Sequence, residues 1–365
     1  MRVVHVACIH DTQFGGVSNV VPQVLNRQKK YADIAFVNII DEKIQSDCVQ
    51  SVYQGKGTFL RSIEASFKRP DLVVFHEIYI YQYLQIAKEL TANNIPYIIV
   101  PHGCLTKQAQ ANKKVKKILG NALLFNKFID GAEVIQYLSK NEQERSIRQK
   151  KFSVCGNGID IPDESKRFKK KNSIVITYIG RIEIVIKGFD LLINAVKGKR
   201  ALLVNNNATI NIYGPENQGK REELKKMIAD NNLQDLIVVH KEVSGEEKKK
   251  VLLDSDIFIQ TSRTEGMPMG IIEAMAYGLP CLVTKGTSFG DIIRTNNAGW
   301  VADVNAESIG NCLDAALSEI TSASEKGHNA RTYAISHFEW ESVTNDTLEL
   351  YKNVLRKSGR LCCEQ

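Results

Sequence analysis

No apolar run in the 365 residues approaches the roughly 18 that a membrane-spanning helix needs, so an integral membrane protein is not expected. Among eight cysteines there is no Cys-x-x-Cys pair and no Cys/His spacing suited to zinc, which argues against zinc modules and dithiol redox motifs. The Gly-x-Gly-x-x-Gly fingerprint is missing, which counts against a nicotinamide-dependent dehydrogenase. A basic segment interleaved with aromatics is missing too, so nothing beyond charge favours nucleic acid. The apolar opening from Met1 to Ile9 is too short for a signal peptide and reads as a first buried strand. With no export signal, Cys8, Cys155 and Cys281, inside or beside apolar runs, are expected to be reduced core residues of a cytoplasmic protein.

What is present is a chain of ordinary globular composition, 43% hydrophobic and 24% charged, with a formal charge of +7. That balance suits anionic ligands such as nucleotide diphosphates, or an anionic membrane surface. Short apolar strands alternate with helical patterns. Strands are expected at Arg2 to Ile9, Asp33 to Ile39, Asp71 to His76, Tyr97 to Pro101, Val134 to Leu138 and Phe152 to Cys155, with helices such as Tyr81 to Asn93 and Asn141 to Lys150 between them. The alternation restarts at Ile174 to Ile179, Thr209 to Tyr213, Leu236 to Val239, Ile257 to Gln260 and Pro280 to Thr284. The tail from Asn305 to Arg356 is mostly helical pattern. The polar, basic stretch from Pro162 to Asn172 is the best linker candidate. The reading is α/β, with two doubly wound parallel-sheet domains, ligands being expected after the carboxyl ends of strands.

Those strand ends carry the candidate chemistry. Gly15-Gly16 after the first strand opens a helix and can let amides approach a phosphate, or can be a tight turn capped by Ser18 or Asn19. Pro101-His102-Gly103 can aim an imidazole at a ligand; a surface loop histidine is the plainer alternative. Asn157-Gly158-Ile159-Asp160 can equally be a hinge. Gly180-Arg181 and Lys187-Gly188 place two cations where a helix start disfavours them unless an anion joins. The strongest signal runs from Arg263 to Pro280. A Gly/Pro-rich loop leads into a helix near Met269, with Glu265 before the loop's anion-binding amides and Glu273 a turn into the helix. One glutamate at a helix start is ordinary stabilisation, but the whole set is not.

Together these residues resemble glycosyltransferase family 4, of the GT-B fold, over nearly the whole chain. Trp340-Glu341 is similar to the family's C-terminal pattern. The resemblance implies two Rossmann-like domains facing across a cleft, residues 1–162 on the acceptor side and 163–339 binding the nucleotide sugar. A terminal helix, 340–365, is expected to return to the first domain. It also implies roles. Gly15 and Gly16 approach the donor through backbone. His102 faces the donor sugar. Arg181 and Lys187 neutralise the diphosphate, and Glu265 contacts the sugar. Amides of Gly266, Met267, Pro268, Met269, Gly270 and Ile271 hold the phosphates, and Glu273 binds the ribose. The family retains anomeric configuration. Two departures are visible: five residues separate Arg181 from Lys187 where many members have four, and Asp291 stands where Glu is common. No metal or other cofactor is expected, because fixed cations can stabilise the departing diphosphate. The Asp254-Ser255-Asp256 pattern precedes its strand, at the end away from ligand. A GT-B nucleotide-sugar epimerase and a catalytically silent binding partner are the alternatives.

Lys107 to Ile129 sets Val115, Ile118, Leu119, Ala122 and Ile129 at helical spacing beside Lys113, Lys114, Lys116 and Lys117. The apolar stripe is expected to pack on the first domain. The basic cluster points to an anionic membrane surface, with a peripheral location on the inner face of the plasma membrane. The resemblance makes a lipid-linked acceptor, in capsule, O-antigen or exopolysaccharide assembly, the expected one.

Overall fold

The computed structural model describes residues 1–10, 16–111, 114–168, 172–215 and 219–360, and divides into two units: Met1–Gly158 with Trp340–Gln365, and Ile159–Glu339. In the first unit, seven strands form one sheet: β1 Arg2–Ala7, β2 Asp33–Asn38, β3 Val49–Val52, β4 Leu72–His76, β5 Tyr97–Val100, β6 Val134–Tyr137 and β7 Phe152–Val154. They lie in the order β3-β2-β1-β4-β5-β6-β7, every pair parallel. The central strands are almost continuously apolar because the crossover helices cover both faces. Val4, Val6, Val73, Phe75 and Ile99 join one core cluster.

The second unit repeats the plan with six strands: β8 Ile174–Ile179, β9 Ala208–Tyr213, β10 Ile237–His240, β11 Ile257–Gln260, β12 Cys281–Thr284 and β13 Gly299–Ala302. Their order is β10-β9-β8-β11-β12-β13, again all parallel. In both sheets the chain reverses its direction of winding beside the first strand, at β1/β4 and at β8/β11. Outside the carboxyl ends of such a strand pair a crevice opens, because the flanking crossovers leave in opposite directions.

Expected strands appear within one or two residues of their readings. The expected helix at Asn141 to Lys150 is shorter, Lys140–Arg145, because Ser146 leaves it to bridge Thr106 and to bond the Tyr137 hydroxyl at 2.7 Å. The unit boundary falls at Gly158/Ile159, four residues before the expected 162/163. Ile159 already belongs to the second unit: its amide donates to Phe338 O at 2.7 Å. The described part of the expected linker is built into that unit as well. Lys166 buries its side chain, pairs with Asp256 at 3.0 Å and donates its amide to Tyr277 O. A polar sequence read as a linker is therefore in part a buried ion pair.

The last helix, Trp340–Lys357, returns to the first unit. It buries Trp340, Val343, Thr344, Thr347, Leu348, Tyr351, Val354 and Leu355, a face of helical period that packs on the helix Gly16–Gln28. No helix among the described residues is long and apolar enough to cross a membrane.

Candidate active site

In the second unit, the two strands flanking the reversal carry the charged candidates. β8 ends at Ile179 and Gly180-Arg181 follow; the Tyr178 hydroxyl donates to Arg181 O at 3.1 Å and holds that turn. The Arg181 side chain is exposed and has no ion pair among the described residues. The short helix Ile184–Lys187 then stops at Gly188, whose φ of +69° and tight approach to the Thr261 carbonyl leave no room for a Cβ. Thr261 in turn donates its hydroxyl to Lys187 O (3.1 Å) and Gly188 O (3.2 Å). This clasp brings Lys187 to the end of β11.

There Lys187 meets Glu265, Nζ to Oε1 at 2.6 Å. The same Oε1 accepts from Gln260 Nε2 at 2.7 Å and Ser262 Oγ at 2.6 Å. The Glu265 amide donates to Gly286 O at 3.0 Å, and its carbonyl accepts from Ser288 Oγ at 2.8 Å. Glu265 is thus fixed in backbone and side chain, with Oε2 outside all of these bonds. Three donors on one oxygen hold the carboxylate in one rotamer. Gln260, Ser262 and Ser288 were not singled out from the sequence. A serine or glutamine beside a strand end is too common to signal a carboxylate cradle.

The loop from Gly266 leads into the helix Met269–Ala276. Not every amide expected to hold phosphate is available. Pro268 has none, and Met269 and Ile271 donate to Met267 O (3.1 Å) and Pro268 O (3.0 Å). Gly270 keeps an amide without a backbone acceptor among the described residues. Its lack of a side chain also matters: a Cβ would stand 2.7 Å from Ile179 O, so glycine lets the helix start at the end of β8. Glu273 lies one turn into this helix, partly exposed, and its Oε2 is ion-paired with Lys248 of the helix Gly245–Asp254. Arg263 grips Asp190 through two bonds of 2.7 and 2.6 Å, and Val185 O at 2.6 Å. That makes it a brace for the turn rather than an open cation. Asp256 of the Asp-x-Asp pattern accepts from Val175 N at 3.0 Å besides pairing with Lys166, at the amino end of β11.

In the first unit the candidates are neutral. Gly15 lies outside the described residues, and Gly16 opens the helix Gly16–Gln28. After β5, His102 adopts φ +48° and Gly103 φ +84°. A left-handed histidine is a strained backbone held by its surroundings. Buried Glu142 does the holding: Oε1 accepts from Gly103 N at 2.6 Å and Oε2 from Leu138 N at 2.8 Å. Behind His102 stand two more histidines. His102 Nε2 is 3.0 Å from His76 Nδ1, His76 Nε2 is 3.0 Å from His5 Nδ1, and His5 Nε2 is 2.9 Å from Gln28 Oε1. Burial pushes His5 and His102 down to about 4 and His76 well below its usual range, so all three are neutral near pH 7. His5 and His76 sit within apolar strands and read from sequence as ordinary interior residues.

From Lys107 to Ile129 the described residues are helical over Lys107–Ala111 and Lys114–Gly120, pass through a π turn at Asn121–Phe125, and continue in Asn126–Asp130. Ile129 is buried as expected, but Ile118 and Leu119 are 56% and 57% exposed, joined by Leu123 at 77% and Leu124 at 44%. The expectation that the stripe packs on the domain is corrected to that extent. Lys117 folds back to donate to Ala109 O at 2.5 Å and lies 5.3 Å over the Tyr79 ring. Lys113 lies outside the described residues, and of Lys114 and Lys116 only the helical backbone is described.

Comparison with known proteins matches this architecture. Residues 160–336 match the family model "Glycosyl transferases group 1". The GDP-mannose:cellobiosyl-diphosphopolyprenol alpha-mannosyltransferase of Xanthomonas campestris is 23% identical over 382 aligned positions, covering 97% of each chain. Among solved structures, a sucrose-phosphate synthase from Thermosynechococcus elongatus aligns with a TM-score of 0.76 at 14% identity, over 98% of this chain and 99% of that one. The Anabaena HepE protein in complex with UDP aligns with a TM-score of 0.76 at 16% identity, over 97% and 100%. The chain has the GT-B fold; its second unit holds the residues that match the group 1 model, and the curated relative named above is a mannosyltransferase.

Proposed function

We propose that this chain is a retaining glycosyltransferase of family 4 type, moving a hexosyl group from a nucleoside-diphosphate sugar to a lipid-linked oligosaccharide in polysaccharide assembly. The observation that carries this reading is the charged group at the β8/β11 reversal: Arg181, with no ion pair among the described residues, the Lys187–Glu265 pair and the loop into Met269–Ala276. The X. campestris relative's name, with a GDP-mannose donor and a diphosphopolyprenol-linked acceptor, supports the acceptor class and makes GDP-mannose the first donor to try. UDP in the Anabaena structure makes UDP-sugars the second.

In this reading the anomeric C–O bond to the diphosphate breaks and a bond to an acceptor hydroxyl oxygen forms on the same face. The hydroxyl proton passes to the departing phosphate oxygen. Arg181 stabilises the charge growing on the diphosphate, which fixed cations do without solvent reorganisation. Lys187 contributes while holding Glu265, whose Oε2 accepts from the sugar. Glu273 exchanges Lys248 for the ribose hydroxyls. No resident metal is called on. The test is a panel of GDP- and UDP-sugars with a diphosphopolyprenol-linked oligosaccharide, reading nucleotide release and product anomer by NMR. Donor isomerisation without transfer would make the chain an epimerase, and no turnover of any donor would make it a binding partner.

The exposed Ile118, Leu119, Leu123 and Leu124, next in sequence to the lysine cluster, support peripheral contact with an anionic membrane. Burying a leucine is worth about 1.5–3 kcal/mol, so Leu119→Asp with Leu123→Asp should weaken binding to anionic vesicles by at least about tenfold. Unchanged binding, or equal wild-type binding to neutral vesicles, contradicts this contact.

A further inference from the structure

We propose that His5, His76 and Gln28 are positioning residues that set the tautomer of His102, so that His102 Nδ1 presents a bare lone pair to a sugar hydroxyl. This rests on the reading that His102 serves a sugar.

The argument is a matter of hydrogen-bond direction. A neutral imidazole has one donor nitrogen and one acceptor, so in a chain of neutral histidines every bond must run the same way. The direction is decided at the end of the chain. Gln28 turns its Nε2 toward the Tyr351 hydroxyl, at 3.4 Å, and its Oε1 toward His5 Nε2, at 2.9 Å. An amide oxygen only accepts, so His5 carries its proton on Nε2 and its Nδ1 is bare. His76 must then donate from Nε2 to His5 Nδ1, across 3.0 Å, and leave its own Nδ1 bare. His102 must donate from Nε2 to His76 Nδ1, also across 3.0 Å. The outcome at His102 Nδ1 is forced: it can accept and cannot donate. That nitrogen has no hydrogen-bond partner among the described residues.

The same chain is a poor proton conductor. A proton accepted at His102 Nδ1 could be passed on only by shifting each proton toward Gln28, and a carboxamide does not take it up. The buried imidazoles therefore work as a fixed row of dipoles, and His102 as a hydrogen-bond acceptor rather than a general base. The reverse direction exists in principle: a flipped Gln28 amide would make His102 Nδ1 a donor. The two directions cannot mix without leaving a buried donor facing a donor, so the chain has one tautomeric state or the other.

The experiment uses the full chain with 15N-labelled histidine. In the wild type, the nitrogen shifts of His102 should report Nε2 protonated and Nδ1 unprotonated. Gln28→Glu, whose carboxylate can only accept, should keep that pattern. His76→Leu should abolish the single tautomer and lower kcat/KM for sugar transfer about tenfold, the worth of one neutral hydrogen bond. Nucleoside diphosphate affinity should be unchanged. His76→Gln, whose amide can accept from His102 and donate to His5, should recover most of the loss and keep the protein folded if the leucine variant does not. Protonated Nδ1 in the wild type, a His102 tautomer indifferent to His76→Leu, or one reversed by Gln28→Glu overturns the proposal. His102→Ala with unchanged kcat/KM, beside the expected wild-type spectrum, overturns the sugar role of His102 while the tautomer assignment stands.

Discussion

At the winding reversal of the second unit the candidate groups are charged and partly exposed, and three ion pairs stand among them and their neighbours: Lys187 with Glu265, Lys248 with Glu273, Arg263 with Asp190. At the reversal of the first they are neutral, buried and joined in a row from Gln28 to His102. The same sheet plan thus carries two kinds of polar arrangement. Ion pairs at partly wet strand ends can exchange a protein partner for a ligand charge at modest cost, because the solvent screens both states. A buried row of imidazoles has nothing to exchange. It specifies direction, since a wrongly placed proton leaves an unsatisfied group in a low-dielectric interior. In the proposed reading the first arrangement serves the diphosphate and the second a sugar hydroxyl.

The comparison breaks most readily at Arg181, the candidate cation with no ion pair among the described residues. Arg181→Ala should cut turnover about 10²-fold or more, as the loss of one preorganised electrostatic contact commonly does. Near-normal turnover in a variant with wild-type thermal unfolding would remove it from the leaving-group role.

The two glutamates sharpen the picture next. Glu273→Ala should weaken free nucleoside diphosphate about 10- to 100-fold, since charge-assisted bonds to ribose are worth about 1.5–3 kcal/mol. Glu265→Ala should leave that affinity nearly intact while turnover falls, because the free nucleotide lacks the sugar. Calorimetric titration beside turnover assays decides. The opposite pattern means that the donor runs the other way along the loop.

The neutral row predicts a stability effect of definite sign. His5 and His102 are lowered to about 4, against an unfolded value of about 6.5. Between those limits the unfolded chain binds protons that the folded chain refuses, so stability is full above pH ~6.5 and falls as pH drops toward 4. The thermal midpoint should decline over that window, less steeply in His5→Gln. A flat profile would mean that the row is already charged or open to water. The smallest effect expected is none: excess chelator should leave transfer unchanged, and a loss restored by magnesium or manganese would assign the leaving group to a metal.

Much of the fold was legible because a strand covered on both faces must be apolar throughout. Eleven of the thirteen strands among the described residues were expected from the sequence, most of them as apolar runs. The two that were not, β3 at Val49–Val52 and β13 at Gly299–Ala302, are edge strands. With one neighbour each they need neither a continuous apolar run nor a flanking turn signal, so Val-Gln-Ser-Val and Gly-Trp-Val-Ala pass for loop. In the site, Arg181, Lys187, Glu265 and Glu273 stood out because charge at strand and helix ends has no cheap structural explanation. Lys166 misled for the opposite reason: a basic run reads as a linker, and only its partner Asp256, far along the chain, shows otherwise.

By itself, then, the sequence determined the alternation of strand and helix, the restart that makes two units, and the turns where charge collects. Those depend on neighbours a few residues apart and on period, which a chain carries in order. The tertiary structure alone decided who partners whom. It pairs Lys187 with Glu265 across 78 positions and aligns His5, His76 and His102 across three strand ends. It also leaves Leu123, in the π turn, in solvent. Hydrogen bonds act over about 3 Å, and contacts of that range between distant residues exist only once the sheet has placed its strands side by side.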